Sequence, residues 1–106
     1  MLRTIVLLMF AILVGGQSAQ AQGTFEARQG RAFAQRLCSG CHGIVLGAPS
    51  LAAGAPNFYT VAGTPGMSPL ALRVALETPH HSMPNLMLTP DELRDLTAYI
   101  MSLRSN

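Results

Sequence analysis

The chain has 106 residues, seven basic and five acidic side chains and a formal net charge of +2, so it has the length of one domain and lacks the strongly basic footprint of a nucleic-acid binder. Every basic residue is Arg, and there is no Lys.

Met1-Leu2-Arg3 carries a positive charge, Thr4 to Gly16 is an uncharged and mostly apolar run, and Ala19-Gln20-Ala21 has the small-residue pattern of a cleavage site. Residues 1–21 read as a secretory signal peptide cut after Ala21. The apolar run is well short of the roughly 20 residues that span a bilayer, which speaks against a retained anchor. The expected mature domain is 22–106, exported to the periplasm. It is small enough that a protein-only core is marginal. With Arg3 removed, six Arg face Glu26, Glu77, Asp91, Glu92 and Asp95.

The mature chain opens with Thr24 as a candidate helix cap and Glu26 in the first turn. Gly30, Phe33 and Leu37 recur at three and four over residues 25–37, placing them on one helical face that leads into Cys41. Gly inside a helix costs about 1 kcal/mol relative to Ala, so Gly30 points to close passage of another helix.

Cys38-Ser39-Gly40-Cys41-His42 follows at once. Two thiols two residues apart with an adjacent imidazole read as a covalent attachment site for c-type haem. The thiols must reach two vinyl groups on one porphyrin edge while the imidazole turns beneath the ring to bind iron, and a helical turn puts all three side chains together. A thiol-disulfide oxidoreductase would place its CxxC after a strand, and none is signalled here. A zinc site would need a second ligand pair at short spacing, whereas His80 and His81 are distant. In an oxidising compartment a free CxxC tends to become a disulfide, which also favours thiols consumed by another covalent bond.

Between Gly43 and Gly66 the density of Gly and Pro predicts loop with at most short helical turns. A cofactor makes so long a loop reasonable, with Leu46, Leu51 and Phe58 expected against the ring. Ser68-Pro69 predicts a capped helix start, Leu72, Ala75 and Leu76 a buried stripe, and Thr78-Pro79 its end. After a loop over 80–88, Thr89-Pro90-Asp91-Glu92 forms a capping box. The helix it starts should bury Leu93, Leu96, Ile100 and Leu103 with Tyr99 beside them, with Arg104 at its negative end. The expected fold is all-α, with about three helices and long loops around one haem.

Candidates for a distal iron ligand are Met67, Met83, Met87 and Met101, with His80 and His81 as a histidine alternative. Met83 is favoured, because it lies in a loop held between the Pro79 break and the Thr89 cap, with Pro84 stiffening its exit.

In this order the elements resemble a small bacterial class I cytochrome c. Gly30 and Phe33 ahead of the CxxCH are similar to the family's N-terminal helix, and Leu96-Thr97-Ala98-Tyr99-Ile100 to its crossing C-terminal helix. Pro56-Asn57-Phe58-Tyr59-Thr60-Val61-Ala62 resembles the stretch whose proline carbonyl accepts a hydrogen bond from the ligating imidazole, with Pro49 as the runner-up here. Met83-Pro84 resembles the distal methionine loop. The resemblance implies thioethers at Cys38 and Cys41, His42 and Met83 as axial iron ligands, and Pro56 as the orienting acceptor. It further implies an electron carrier rather than an enzyme, cycling Fe(II) and Fe(III) between a donor dehydrogenase or reductase and an acceptor oxidase or reductase. Alternatives are a haem c subunit of a periplasmic dehydrogenase complex and a ligand-binding or peroxidase-like haem protein. The absence of Lys departs from the many members that ring the haem edge with lysines.

Overall fold

The computed structural model describes residues 23–104. The expected signal peptide lies outside them. Four helices appear among the described residues: α1 over residues 23–37, α2 at Phe58–Gly63, α3 at Pro69–Glu77 and α4 at Pro90–Ser102. No strand occurs among them. None of these helices is long and apolar enough to cross a membrane.

Local chemistry sets most of the boundaries. Ser68 caps α3 by accepting from the Ala71 amide at 3.1 Å, with Pro69 at the first helical position, and Thr78 ends the helix before Pro79. At α4 the Thr89 hydroxyl accepts from the Glu92 amide and the Glu92 carboxylate accepts from the Thr89 amide, a reciprocal capping box. The six-residue helix α2 falls in the segment expected to be loop with at most short helical turns, and it brings the helices among the described residues to four. Its signal is Asn57, whose side-chain oxygen accepts from the Thr60 amide at 2.8 Å.

Helix α4 is the hub. It packs against α2 and α3, and Leu93, Leu96, Thr97, Tyr99 and Ile100 are buried along it. They join Phe33, Ala34, Phe58, Ala62 and Leu72 in the core, with Met67, Met101 and Leu103 packed against its edge.

Helix α1 meets α4 at Gly30. A Cβ built there would run into the backbone carbonyl of Asp95 and lie 2.8 Å from Tyr99 Cβ. Glu26 adds an ion pair across the same crossing, 3.1 Å from Arg94. Arg94 also holds Asp91 and Asp95 of its own helix, and these contacts raise the guanidinium pKa, the Asp95 hydrogen bond most of all.

Three details differ from expectation. Residue 23 is already helical, so Thr24 lies within α1 rather than at its cap. The buried stripe of α1 runs through Gly30, Phe33, Ala34 and Cys38, while Leu37 is 61% exposed. Four residues complete slightly more than one turn, so a face that contains Gly30 and Ala34 returns at Cys38. Arg104 stands beyond the α4 cap and donates to the Met67 carbonyl at 3.2 Å, tying the chain end to the entry of α3.

The crossing yields a prediction. Gly30→Val overpacks a backbone-to-backbone contact, and such changes typically cost about 1–3 kcal/mol. Thermal unfolding of the haem-loaded protein should show a lowered midpoint, whereas Gly23→Ala, with open space around it, should not.

Candidate haem site

The site begins where α1 ends. Cys38 and Ser39 amides both donate to the Ala34 carbonyl, and the Cys41 and His42 amides donate to the Cys38 carbonyl at 3.1 and 2.9 Å. The CxxCH segment is thus one further turn on the helix, and Cys38, Cys41 and His42 issue from a single coil of backbone. Both cysteines are free thiols, Cys38 buried and Cys41 exposed. Burial pushes the Cys38 thiol above its ordinary range.

The His42 ring is oriented by a carbonyl. Its Nδ1 lies 2.7 Å from the Pro56 oxygen. A carbonyl can only accept, so Nδ1 carries the proton and Nε2 of the neutral ring keeps its lone pair. Phe58 lies alongside, its ring centroid 5.5 Å from that of His42 at an interplanar angle of 44°.

The backbone around the ring is held almost peptide by peptide. The Cys41 carbonyl accepts from the Leu51 and Ala52 amides at 3.0 and 3.1 Å. Gly43 donates its amide to Ser50 Oγ at 3.0 Å and accepts from the Phe58 amide at 2.8 Å. A Cβ on Gly43 would meet the Ala48 carbonyl, so only glycine lets the loop fold back this tightly. The Tyr99 hydroxyl, from α4, donates to the Ile44 carbonyl in the interior. Sequence reasoning passed over Ser50, Gly43 and this use of Tyr99; a Gly immediately after the ligand motif was the available signal.

Of the three side chains expected against the ring, Phe58 is buried beside His42. The bonds from Leu51 and Ala52 to Cys41 anchor their loop by its backbone.

The segment carrying Met83 folds as a turn, with the Met83 amide donating to the His80 carbonyl at 3.2 Å and Ser82 at φ 65°. His80 Nε2 lies 2.7 Å from the Ala75 carbonyl and caps the C-terminal end of α3. Met83 is partly buried and lines a cleft of about 180 Å³ with Leu76, Pro79, His80 and Met87. Met87 is 94% exposed, and Met67 and Met101 pack on the core.

Two unbridged thiols and a fixed imidazole with one free nitrogen form the donor set that a covalently held haem requires. Among the described residues no group of three or more His, Cys, Asp or Glu side chains converges on a metal position, so the zinc reading has no ligand set there. Residues 25–100 match the family model for cytochrome c oxidase, cbb3-type, subunit III. Cytochrome c-552 of Bradyrhizobium diazoefficiens is 35% identical over 99 residues, which span 93% of this chain and 92% of that protein. No solved structure matches the chain. The chain belongs to the c-type cytochromes. It is a haem electron carrier in the broad sense, with haem c covalently bound as its cofactor.

The Tyr99 hydroxyl generates a prediction with a pH dependence. Burial raises the Tyr99 pKa above its ordinary value near 10, outweighing the opposing pull of Arg31. A raised folded-state pKa contributes stability that is complete below about pH 10 and is lost as pH rises through the folded value. Tyr99→Phe should cost about 1–3 kcal/mol at neutral pH, because it orphans the buried Ile44 carbonyl. The variant should also flatten the alkaline fall of the denaturation midpoint, measured from neutral pH upward.

Proposed function

We propose that this chain is an exported, periplasmic single-haem electron carrier, with residues 1–21 a cleaved signal peptide and 22–106 the cytochrome domain. In this reading Cys38 and Cys41 form the thioethers, His42 and Met83 are the axial ligands, and the Pro56 carbonyl orients the His42 ring. The observation that carries the reading is the 2.7 Å approach of His42 Nδ1 to the Pro56 oxygen, which leaves Nε2 free for iron.

Bound haem supplies the one-electron Fe(III)/Fe(II) couple. The chain's residues fix the ligand geometry on both sides, so that oxidation and reduction demand little rearrangement. Hydrogen bonding to the proximal imidazole keeps its orientation and raises its basicity, while a Met/His axial pair favours a higher potential than other sets. His80 is a poorer distal candidate than Met83, since its Nε2 already serves the Ala75 carbonyl. Donor and acceptor are redox proteins, a dehydrogenase or reductase on one side and an oxidase or reductase on the other.

A second reading has a specific observation behind it. The exposed Leu37, Leu51 and Met87 also suit a haem subunit held permanently in a larger complex. The matched family model is itself named for an oxidase subunit. Size-exclusion chromatography of native extract separates the two: a free carrier elutes at the domain's own size.

Two measurements test the site. After acid-acetone extraction the haem should remain with the polypeptide; haem in the organic phase rejects the two thioethers. Met83→Ala should lower the potential and admit carbon monoxide to the ferrous protein at neutral pH, whereas Met87→Ala should leave ligation intact. A Met83→Ala protein with the parental spectrum and potential removes Met83 as ligand.

A further inference from the structure

We infer that His80 is the positioning residue for the distal ligand: its ring hooks the Met83 turn onto the end of α3 and holds the thioether ready for iron, an inference that rests on the Met83 ligation proposed above. Helix α3 ends one donor short. In a continuous helix the carbonyl of residue 75 would accept from the amide of residue 79, but residue 79 is proline and has no N–H. The Thr78 amide reaches the Ala75 carbonyl at 3.3 Å, a long bond. His80 Nε2, at 2.7 Å, supplies the donor that Pro79 lacks. A carbonyl only accepts, so this nitrogen carries its proton and is occupied at the helix end.

The same residue closes the turn. Its carbonyl accepts from the Met83 amide at 3.2 Å, so His80 is tied to α3 by its side chain and to Met83 by its main chain. Ser82, inside the turn, sits at φ 65°, a conformation uncommon for a residue with a side chain, so backbone preference alone does not set the turn's shape. Among the described residues, no other side chain of residues 79–88 hydrogen-bonds to a helix. Helix α3 is itself fixed, with Leu72 in the core and α4 packed beside it. Position is therefore passed from α4 to α3, from α3 to His80 and from His80 to Met83.

A thioether needs such support. Methionine sulfur is a weak, neutral acceptor at the end of a flexible side chain. Its apparent affinity for iron is its intrinsic affinity reduced by the fraction of time the turn is competent to bind. Releasing the turn thus weakens ligation without altering either ligand, and one hydrogen bond contributes roughly two- to tenfold to such an equilibrium.

Imidazole titration of the haem-loaded ferric protein at fixed neutral pH reads that equilibrium, because added imidazole must displace the distal ligand before it binds. His80→Phe keeps a ring and removes the donor. Its apparent affinity for imidazole should rise roughly three- to tenfold, with the parental spectrum when imidazole is absent. His80→Gln restores an N–H at similar reach and should return the affinity to within about twofold of the parent. His81→Phe, at an exposed neighbour without a hydrogen bond among the described residues, should leave the affinity unchanged. In a Met83→Ala background His80→Phe should add nothing, since that cycle has no distal ligand left to position.

A lowered thermal midpoint with imidazole affinity unmoved would make His80 a helix cap alone and overturn the inference. Equal gains with and without Met83 would make the ring a shield over the iron, and equal gains in His80→Gln and His80→Phe would make the imidazole itself a competing ligand; either overturns it too. The ligand assignment is read separately. If Met83→Ala binds imidazole no more tightly than the parent, Met83 is not the ligand and the positioning role falls with it. If Met83→Ala gains affinity and His80→Phe does not, the positioning role alone fails.

Discussion

At residue 30 the backbone of α1 lies directly against the Asp95 carbonyl and the Cβ of Tyr99, at a distance that no side chain larger than hydrogen permits. This contact sets how α1 sits on α4, and much of the site follows from it. With α1 in place, its extra turn carries Cys38, Cys41 and His42 to the edge of the core. With α4 in place, the Tyr99 hydroxyl reaches the Ile44 carbonyl, two residues beyond His42. The two halves of the chain therefore meet through an absent side chain and through a buried hydroxyl, beside the Glu26–Arg94 ion pair.

The loop between α1 and α3 shows how irregular backbone can be ordered without a sheet or a long helix. Buried peptide groups need partners, and here they find them among neighbouring loop atoms. Cys41 uses the Leu51 and Ala52 amides, Gly43 uses Ser50 and Phe58, and α2 begins where Asn57 supplies a cap. The Pro56 carbonyl, free of any role in the helix that follows, is left to receive the His42 ring. Proline fixes its own φ, and Gly43 allows the backbone to fold against Ala48. The unusual composition of this segment is thus put to a geometric use, which is to hold one imidazole in one orientation.

Charge and chemistry are divided between the elements. Among the described residues the helices carry all the acids and arginines up to residue 95, and Arg94 draws three carboxylates together at the α1–α4 crossing. Arg94 and Asp91 are exposed while Glu26 and Asp95 are partly buried, and ion pairs at a surface contribute little to stability. Their arrangement leaves the site-bearing loops free of formal charge.

Much of the site and the fold could be read without coordinates wherever the signal is local. Cys38, Cys41 and His42 stand out by spacing alone, because a helical turn brings residues three and four apart together whatever surrounds them. The starts of α3 and α4 follow from Ser68-Pro69 and Thr89-Glu92, whose hydrogen bonds close within four residues. Gly30 announced a close crossing, although not that Asp95 would be its neighbour. Tertiary structure alone decided what depends on partners far along the chain. Leu37 turned outward and Cys38 inward because the roll of α1 is set by contact with α4 rather than by its own period. The short α2 was hidden by flanking Gly and Pro. The acceptor for His42 is a main-chain oxygen, a group that every residue possesses, so only the path of the chain could bring Pro56 to it.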